Sequence, residues 1–142
     1  MLCNNLKMKA RNKGQGLVEF ALVLPFLLVV VFGVFDLGRA YFTTIILTGA
    51  AREGARYLSV YPNDVPDFNN TRVVTRNEAR NSGINIDDQP VDISCTNVDG
   101  DHDECDGGGT AIVTVSHEFE LVLGWMLSSP ITITRSAQMV VP

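Results

Sequence analysis

The sequence predicts an α+β protein in which one long N-terminal transmembrane helix extends into a small antiparallel sheet domain. Two observations carry this prediction: an apolar run without charge from Phe20 to Phe35, and three later stretches in which apolar and polar residues alternate. At 142 residues the chain can form one compact domain but not two ordinary ones. We therefore expect a basic leader over residues 1–14, a transmembrane and stem helix over 15–61, and an α+β head over 62–142.

The charges are distributed unevenly along the chain. The first 14 residues contain four basic side chains and no acid, so that a net charge of −5 with +4 in the leader leaves −9 for the rest. The basic residues are Lys7, Lys9, Arg11 and Lys13. An acidic body lacks the electrostatic attraction that drives binding to nucleic acid, so we exclude that function. Basic residues before an apolar run stay in the cytoplasm, which predicts a single-pass cytoplasmic-membrane protein with its C-terminal domain outside.

The predicted helix has a membrane-spanning half and an amphipathic half. From Leu17 to Phe35 the run is interrupted only by Glu19, and about 20 such residues cross a hydrocarbon core. Beyond it, apolar and small residues recur at spacings of three and four, which predicts a buried stripe. The stripe consists of Leu37, Tyr41, Ile45, Thr48, Ala51, Ala55 and Leu58. Pro62 and Pro66 then end the helix.

The head contains one further helix and three strands. Turn formers after residue 81 predict a short helix over Val73–Asn81. Alternating patterns predict strands over Pro90–Val98, Thr110–Leu121 and Pro130–Val141, joined as a small antiparallel sheet. The connection before the last strand is apolar and contains Trp125, which either folds back into the core or marks a contact with a partner.

Two cysteines lie ten positions apart in the exported part of the chain. We expect Cys95 and Cys105 to form a disulfide, with free thiols or metal ligands as the alternatives. His102 and His117 lack the spacing of a zinc site, so the sequence does not favour zinc.

Between these cysteines the acidic residues alternate as they do in calcium loops. The candidate ligands are Asp99, Asp101, Asp103 and Asp106. Glu104 stands where an EF-hand requires glycine and Thr110 where it requires glutamate, so the loop is not an EF-hand. Weak calcium binding and a merely solvated hairpin stay open, and no other cofactor is expected.

The lone carboxylate of Glu19 is the most informative side chain in the membrane segment. An ionised group within a span costs several kcal/mol, which makes an acid there a functional-site hypothesis. Cleavage after Gly14 would give Gln15 a positive α-amino group that a neighbouring subunit's Glu19 could meet. The alternative is a carboxylate that reaches the cytoplasmic interface without a specific partner.

The N-terminal motif also resembles a known family. Gly14 followed by four residues and then Glu19-Phe20 resembles the prepilin-peptidase site of type IV pilin-like proteins. Together with Gly33, Asp36, Gly38, Arg39 and the stretch 50–57, it is similar to the TadE-like family of tight-adherence pilus proteins. The resemblance implies a pilin-like fold and a minor pilin of a tight-adherence or Flp-type pilus. It also implies a prepilin peptidase, other pilin subunits and an inner-membrane assembly machine as partners.

A second set of residues is a candidate for assembly. Small residues at helical spacing let another helix approach closely, which predicts packing between the stems of neighbouring subunits. The set consists of Ala50, Ala51, Gly54 and Ala55. The alternative is a solvated helix face with incidental small residues.

No nucleophile, base and orienting group are spaced for catalysis, so we expect no enzyme. The competing interpretation is a signal-anchored or secreted extracytoplasmic binding module. A signal sequence cut after Ala40 would produce it, although Asp36 and Arg39 lie unusually close to that cut.

Overall fold

The structure is a computed structural model that describes residues 14–64, 67–97, 105, 107–122, 124 and 130–142. In chain order it contains the helix α1 (Gln15–Val60), a 3₁₀ turn (Pro62–Asp64), the helix α2 (Asn69–Asn81) and the strands β1 (Val91–Thr96), β2 (Thr110–Phe119) and β3 (Ile131–Val140). A long N-terminal helix followed by three antiparallel strands confirms the predicted α+β class.

The helix α1 continues unbroken through Pro25 and ends one residue before the predicted boundary. From residue 15 to Phe35 every residue of the helix is exposed except Gly33, which is half-buried where the helix meets the strand ends of the head. From Asp36 onward one side of the helix is buried, because the sheet and α2 pack along it. The outer half of α1 is therefore part of the head's core and not a free stalk.

The predicted apolar stripe is wrong at its N-terminal end. Leu37, Tyr41 and Ile45 are 72%, 69% and 52% exposed, whereas Leu58 at the other end is fully buried. Residues spaced strictly by four drift about 40° per step around a helix of 3.6 residues per turn. The predicted stripe therefore turns away from the side of the helix that the head covers. The buried side begins instead with Asp36 and Thr43.

The three strands form an antiparallel meander in the order β1-β2-β3. Val115 pairs with Val91 on one side and with Arg135 on the other, which fixes the register of the sheet. Alternate residues of β2, including Val113 and Val115, are fully buried toward α1. The other face is polar and is crossed by two side-chain hydrogen bonds between β2 and β3, one of them Thr114 Oγ1 to Ser136 Oγ at 3.1 Å.

The sheet runs lengthwise along the outer half of α1. Ile131, at the start of β3, lies beside Gly33, whereas Val141 after its end packs in a buried cluster with Leu58. The head therefore has one end near residue 36 of the helix, next to the apolar run, and a distal end near residue 58.

The helix α2 begins at Asn69, four residues earlier than the sequence predicted. Its start is held by Asp64, whose carboxylate accepts hydrogen bonds from the Thr71 amide and hydroxyl at 2.7 Å each and from the Asn70 side-chain amide at 2.8 Å. Burial of the Asp64 carboxyl, the largest single influence, raises its pKa, but the bonds from Thr71 and Asn70 together outweigh it. The net pKa of Asp64 is lowered.

We expect Asp64→Asn to lower the free energy of unfolding near neutral pH by about 1 kcal/mol, the usual value of a helix cap. A lowered folded-state pKa means that this stability is present above the unfolded pKa of about 4 and is lost as pH falls through the folded value. Thermal melts of both proteins should therefore differ at pH 7 and converge as the pH falls below the folded-state pKa of Asp64. Asp67→Asn is the control, because the described contact of Asp67 uses its backbone carbonyl. A pH-independent difference would contradict the cap.

Candidate functional site

The first half of α1 is a bare apolar surface. It is the described helix that is long and apolar enough to cross a membrane, judged by length and composition. Its most apolar window has no residue buried within the molecule. Exposed side chains such as Phe26, at 72%, would face water unless lipid or another protein covers them.

Glu19 lies on this bare surface. Its side chain is exposed and makes no hydrogen bond or ion pair with the residues that the structure describes. Glu19 and Leu37 are eighteen residues apart, which is five turns at 3.6 residues per turn, so an ideal helix places them on one face. The lone carboxylate and the exposed residues Leu37 and Tyr41 therefore belong to the same side of α1.

The predicted processing residues lie at the start of the helix. Gly14 directly precedes α1 and its carbonyl accepts the amide of Val18 at 3.2 Å. The Gly14–Gln15 bond is thus at the helix boundary, and Phe20 is 63% exposed in the second turn. The basic leader before Gly14 lies outside the described residues.

Asp36 joins the head to the helix at the end of the apolar run. Only 5% of this residue is exposed, and both carboxylate oxygens accept the backbone amide of Val122, at 2.9 and 3.1 Å. A charged acceptor bound by a backbone donor is one of the stronger hydrogen bonds in proteins. The chain following β2 is thereby fixed at one height on α1, directly after Phe35.

Arg39 completes the junction. Its guanidinium lies 3.3 Å from the Asp36 carboxylate, donates to the Glu120 carbonyl at 3.4 Å and sits 4.9 Å from the centre of the Phe119 ring. The side chain is 43% exposed, so one end of it remains in contact with the surroundings. Asp36 and Arg39 therefore act together as a two-residue clamp between helix and sheet.

An apolar groove of about 370 Å³ opens beside this clamp. The helix contributes Gly33, Asp36, Leu37 and Ala40, and the ends of the strands contribute Phe119, Leu121, Ile131 and Ile133. No polar atom is exposed on its walls. The groove begins within the apolar run and continues beyond it.

The small residues predicted to pack against neighbouring stems are used inside the subunit, so that prediction is corrected. Ala50, Ala51 and Ala55 are fully buried, and Gly54 is buried with them. A side chain at Gly54 would collide with the Thr75 hydroxyl of α2 and come within 3.3 Å of Val113. The close helix approach is real, but the partner is α2 of the same chain.

The distal end of the head contains the disulfide. Cys95 and Cys105 are bonded, with 5.2 Å between their Cα atoms, in agreement with the prediction. Both pack against Leu58 and Val141 in a buried cluster. The calcium candidates Asp99, Asp101, Asp103 and Asp106, like Trp125, lie outside the described residues.

A second cleft, of about 480 Å³, lies on the other side of Arg39 and includes His117 and Phe42. Burial lowers the pKa of His117, against the opposing influence of the Glu118 charge. Its Nδ1 atom is buried without a hydrogen-bond partner in the described structure. In the same described part of the chain, no three His, Cys, Asp or Glu side chains come together as metal ligands would.

The sequence did not predict the clamp, although Asp36 and Arg39 belong to the motif that resembles the TadE-like family. The available signal was their position, because Asp36 and Arg39 are an oppositely charged pair at spacing three directly after the uncharged run. The partner, Val122, carries no signal, because it contributes a backbone amide.

Comparison with known proteins finds a family match that covers most of α1. The family model described as TadE-like protein matches residues 14–56, about a third of the chain. No curated protein and no solved structure matches. From the residue before α1 to Arg56, the chain therefore matches the TadE-like protein family, which confirms over that range the resemblance read from the sequence.

Proposed function

We propose that this protein is a minor pilin or pseudopilin-like structural subunit of a tight-adherence (Flp/type IV-like) pilus. It is anchored by α1 in the cytoplasmic membrane with its head outside, and it acts in pilus assembly, adhesion or surface colonisation. The observation that carries the proposal is the TadE-like match over residues 14–56, because it covers the boundary at Gly14, the bare half of α1 and the clamp. The partners are a prepilin peptidase, other pilin subunits and the inner-membrane assembly machinery.

The test is the mature N-terminus in cells that contain the peptidase. Mass spectrometry should find Gln15 as the first residue, and Gly14→Ala should leave the leader attached. A mature chain starting at Tyr41 would instead support a secreted module, and one starting at Met1 a simple anchor. The clamp argues against a cut after Ala40, because that cut removes Asp36 and with it both bonds to Val122.

We expect Glu19→Gln to insert in the membrane at least as well as the unchanged protein and to assemble poorly with other pilin subunits. The exchange removes a charge that costs several kcal/mol within a span, and it also removes the partner for a neighbour's α-amino group. The measurement is co-purification of pilin subunits with the membrane-extracted variant. Glu53→Gln is the matched control, since Glu53 pairs with Arg56 on an exposed part of α1 outside the span. Normal incorporation of Glu19→Gln would mean that the Glu19 carboxylate has no specific partner in assembly.

A further inference from the structure

We propose that the membrane-proximal end of the head rests on the bilayer, with Val122, Ile131 and the exposed Leu37 in contact with the lipid boundary. This inference rests on the proposed membrane anchoring and goes beyond it, because an anchored head could equally stand clear of the membrane. The ligand is the lipid surface on the side of the head.

The height of these residues supports the contact. The bonds from Val122 to Asp36 place the chain after β2 directly beyond Phe35, the last residue of the uncharged run. The groove beside them reaches down to Gly33, which lies within that run. If residues 17–35 fill the hydrocarbon core of about 30 Å, this end of the head meets the boundary without any movement.

The surface at this end is apolar and uncovered. Val122 is 45% exposed, Ile131 46% and Leu37 72%, and the groove between helix and strands has no exposed polar wall. Apolar surfaces of surface-bound proteins sit about 5–10 Å into the boundary between headgroups and acyl chains. The distal end lies far from it, because the nine steps from Ile131 to Val140 measure about 30 Å.

The charges near this end indicate which lipids it contacts. Arg39 is the exposed cation of the clamp, while Glu118 and Glu120 are exposed close by. The local balance does not favour anionic headgroups, so the contact is driven by apolar burial. Zwitterionic phosphatidylcholine should be sufficient.

A neighbouring subunit is the competing occupant of this groove. Lipid is favoured because the groove starts at the depth of the membrane span and so meets the bilayer around every anchored copy, including one that has not assembled. Contact with lipid should form even at low protein density, whereas contact with a neighbouring subunit should require high protein density.

The experiment uses the full chain in phosphatidylcholine vesicles at a density of about one copy per vesicle or lower. Single cysteines replace Val122, Ile131, Val140 or Val30 in a Cys3→Ser background and carry a small fluorophore, while Cys95 and Cys105 stay protected as a disulfide. The quenchers are phosphatidylcholines with a nitroxide in the headgroup or in the upper acyl chain. We expect the labels at Val122 and Ile131 to lose emission as nitroxide lipid increases, and the label at the distal Val140 to keep it.

The label at Val30, within the span, separates the two possible failures. If the acyl-chain nitroxide quenches Val30 while Val122 and Ile131 keep their emission, the anchoring stands and the docked head is overturned. If Val30 also keeps its emission, the anchoring itself is wrong and both proposals fall. Emission at Ile131 that resists nitroxide lipid at low protein density, and falls at high density even without nitroxide lipid, would replace the lipid contact by one between subunits.

Discussion

A fragment from Asn63 to Pro142 should not fold, whereas one from Asp36 to Pro142 should. The first contains the predicted head apart from Pro62, but none of α1. Five of the ten buried residues in the main core cluster come from that helix, and they are Ile46, Leu47, Ala50, Ala51 and Ala55. Their loss leaves the inner face of the sheet open to water.

The free energy of burial that is lost with the helix decides whether the shorter fragment folds. Burying a leucine or isoleucine stabilises a fold by about 1.5–3 kcal/mol, and Ile46, Leu47 and Leu58 are all removed with the helix. A small domain has a total stability of about 5–15 kcal/mol, so the shorter fragment has little or none left. The longer fragment keeps these residues and also the bonds from Val122 to Asp36.

Circular dichroism and thermal melts of the two purified fragments measure the difference. Asp36–Pro142 should show a cooperative transition, and Asn63–Pro142 should show none. Both fragments contain the disulfide, so its presence does not explain the contrast. A cooperative transition in the shorter fragment would mean that the head has a core of its own, and the shared core inferred from the structure would be wrong.

The sequence predicted the elements better than their packing. The bounds of α1 and of the three strands follow from local patterns, namely an uncharged run, a proline-rich stop and alternation, and each agrees with the structure within a few residues. The early start of α2 was missed because its cap, Asp64, lies five residues before the helix and beyond the reach of a local capping pattern.

The partners of the site residues were harder to predict, because a face of a helix does not reveal what covers it. The small residues around Gly54 correctly indicated a close approach, yet they carry no information on whether the approaching helix is α2 or a second subunit. The clamp at Asp36 depends on a backbone amide 86 residues away, which no pattern in the sequence specifies.

Gly54→Ala should destabilise the head even though alanine is the better helix former. A methyl group at residue 54 would collide with the Thr75 hydroxyl, which is itself held by a 2.8 Å hydrogen bond to the Thr71 carbonyl. Because Thr75 is fully buried and β-branched, it has little room to turn away. Overpacking of this kind costs about 1–3 kcal/mol, against a gain in helix propensity of up to about 1 kcal/mol.

Gly49→Ala supplies the matched control in the same helix. Gly49 is exposed and an added methyl group meets nothing within 4 Å, so this variant should gain up to about 1 kcal/mol from propensity alone. The two glycine exchanges are therefore expected to shift the melting temperature of Asp36–Pro142 in opposite directions.

Thr75→Ala in the Gly54→Ala background should recover part of the loss, because it removes the colliding oxygen. The double-mutant cycle should show that the two sites are coupled. If Gly54→Ala instead stabilises the fragment as Gly49→Ala does, α2 does not lie against the small residues of α1, and these residues become available again for packing between subunits.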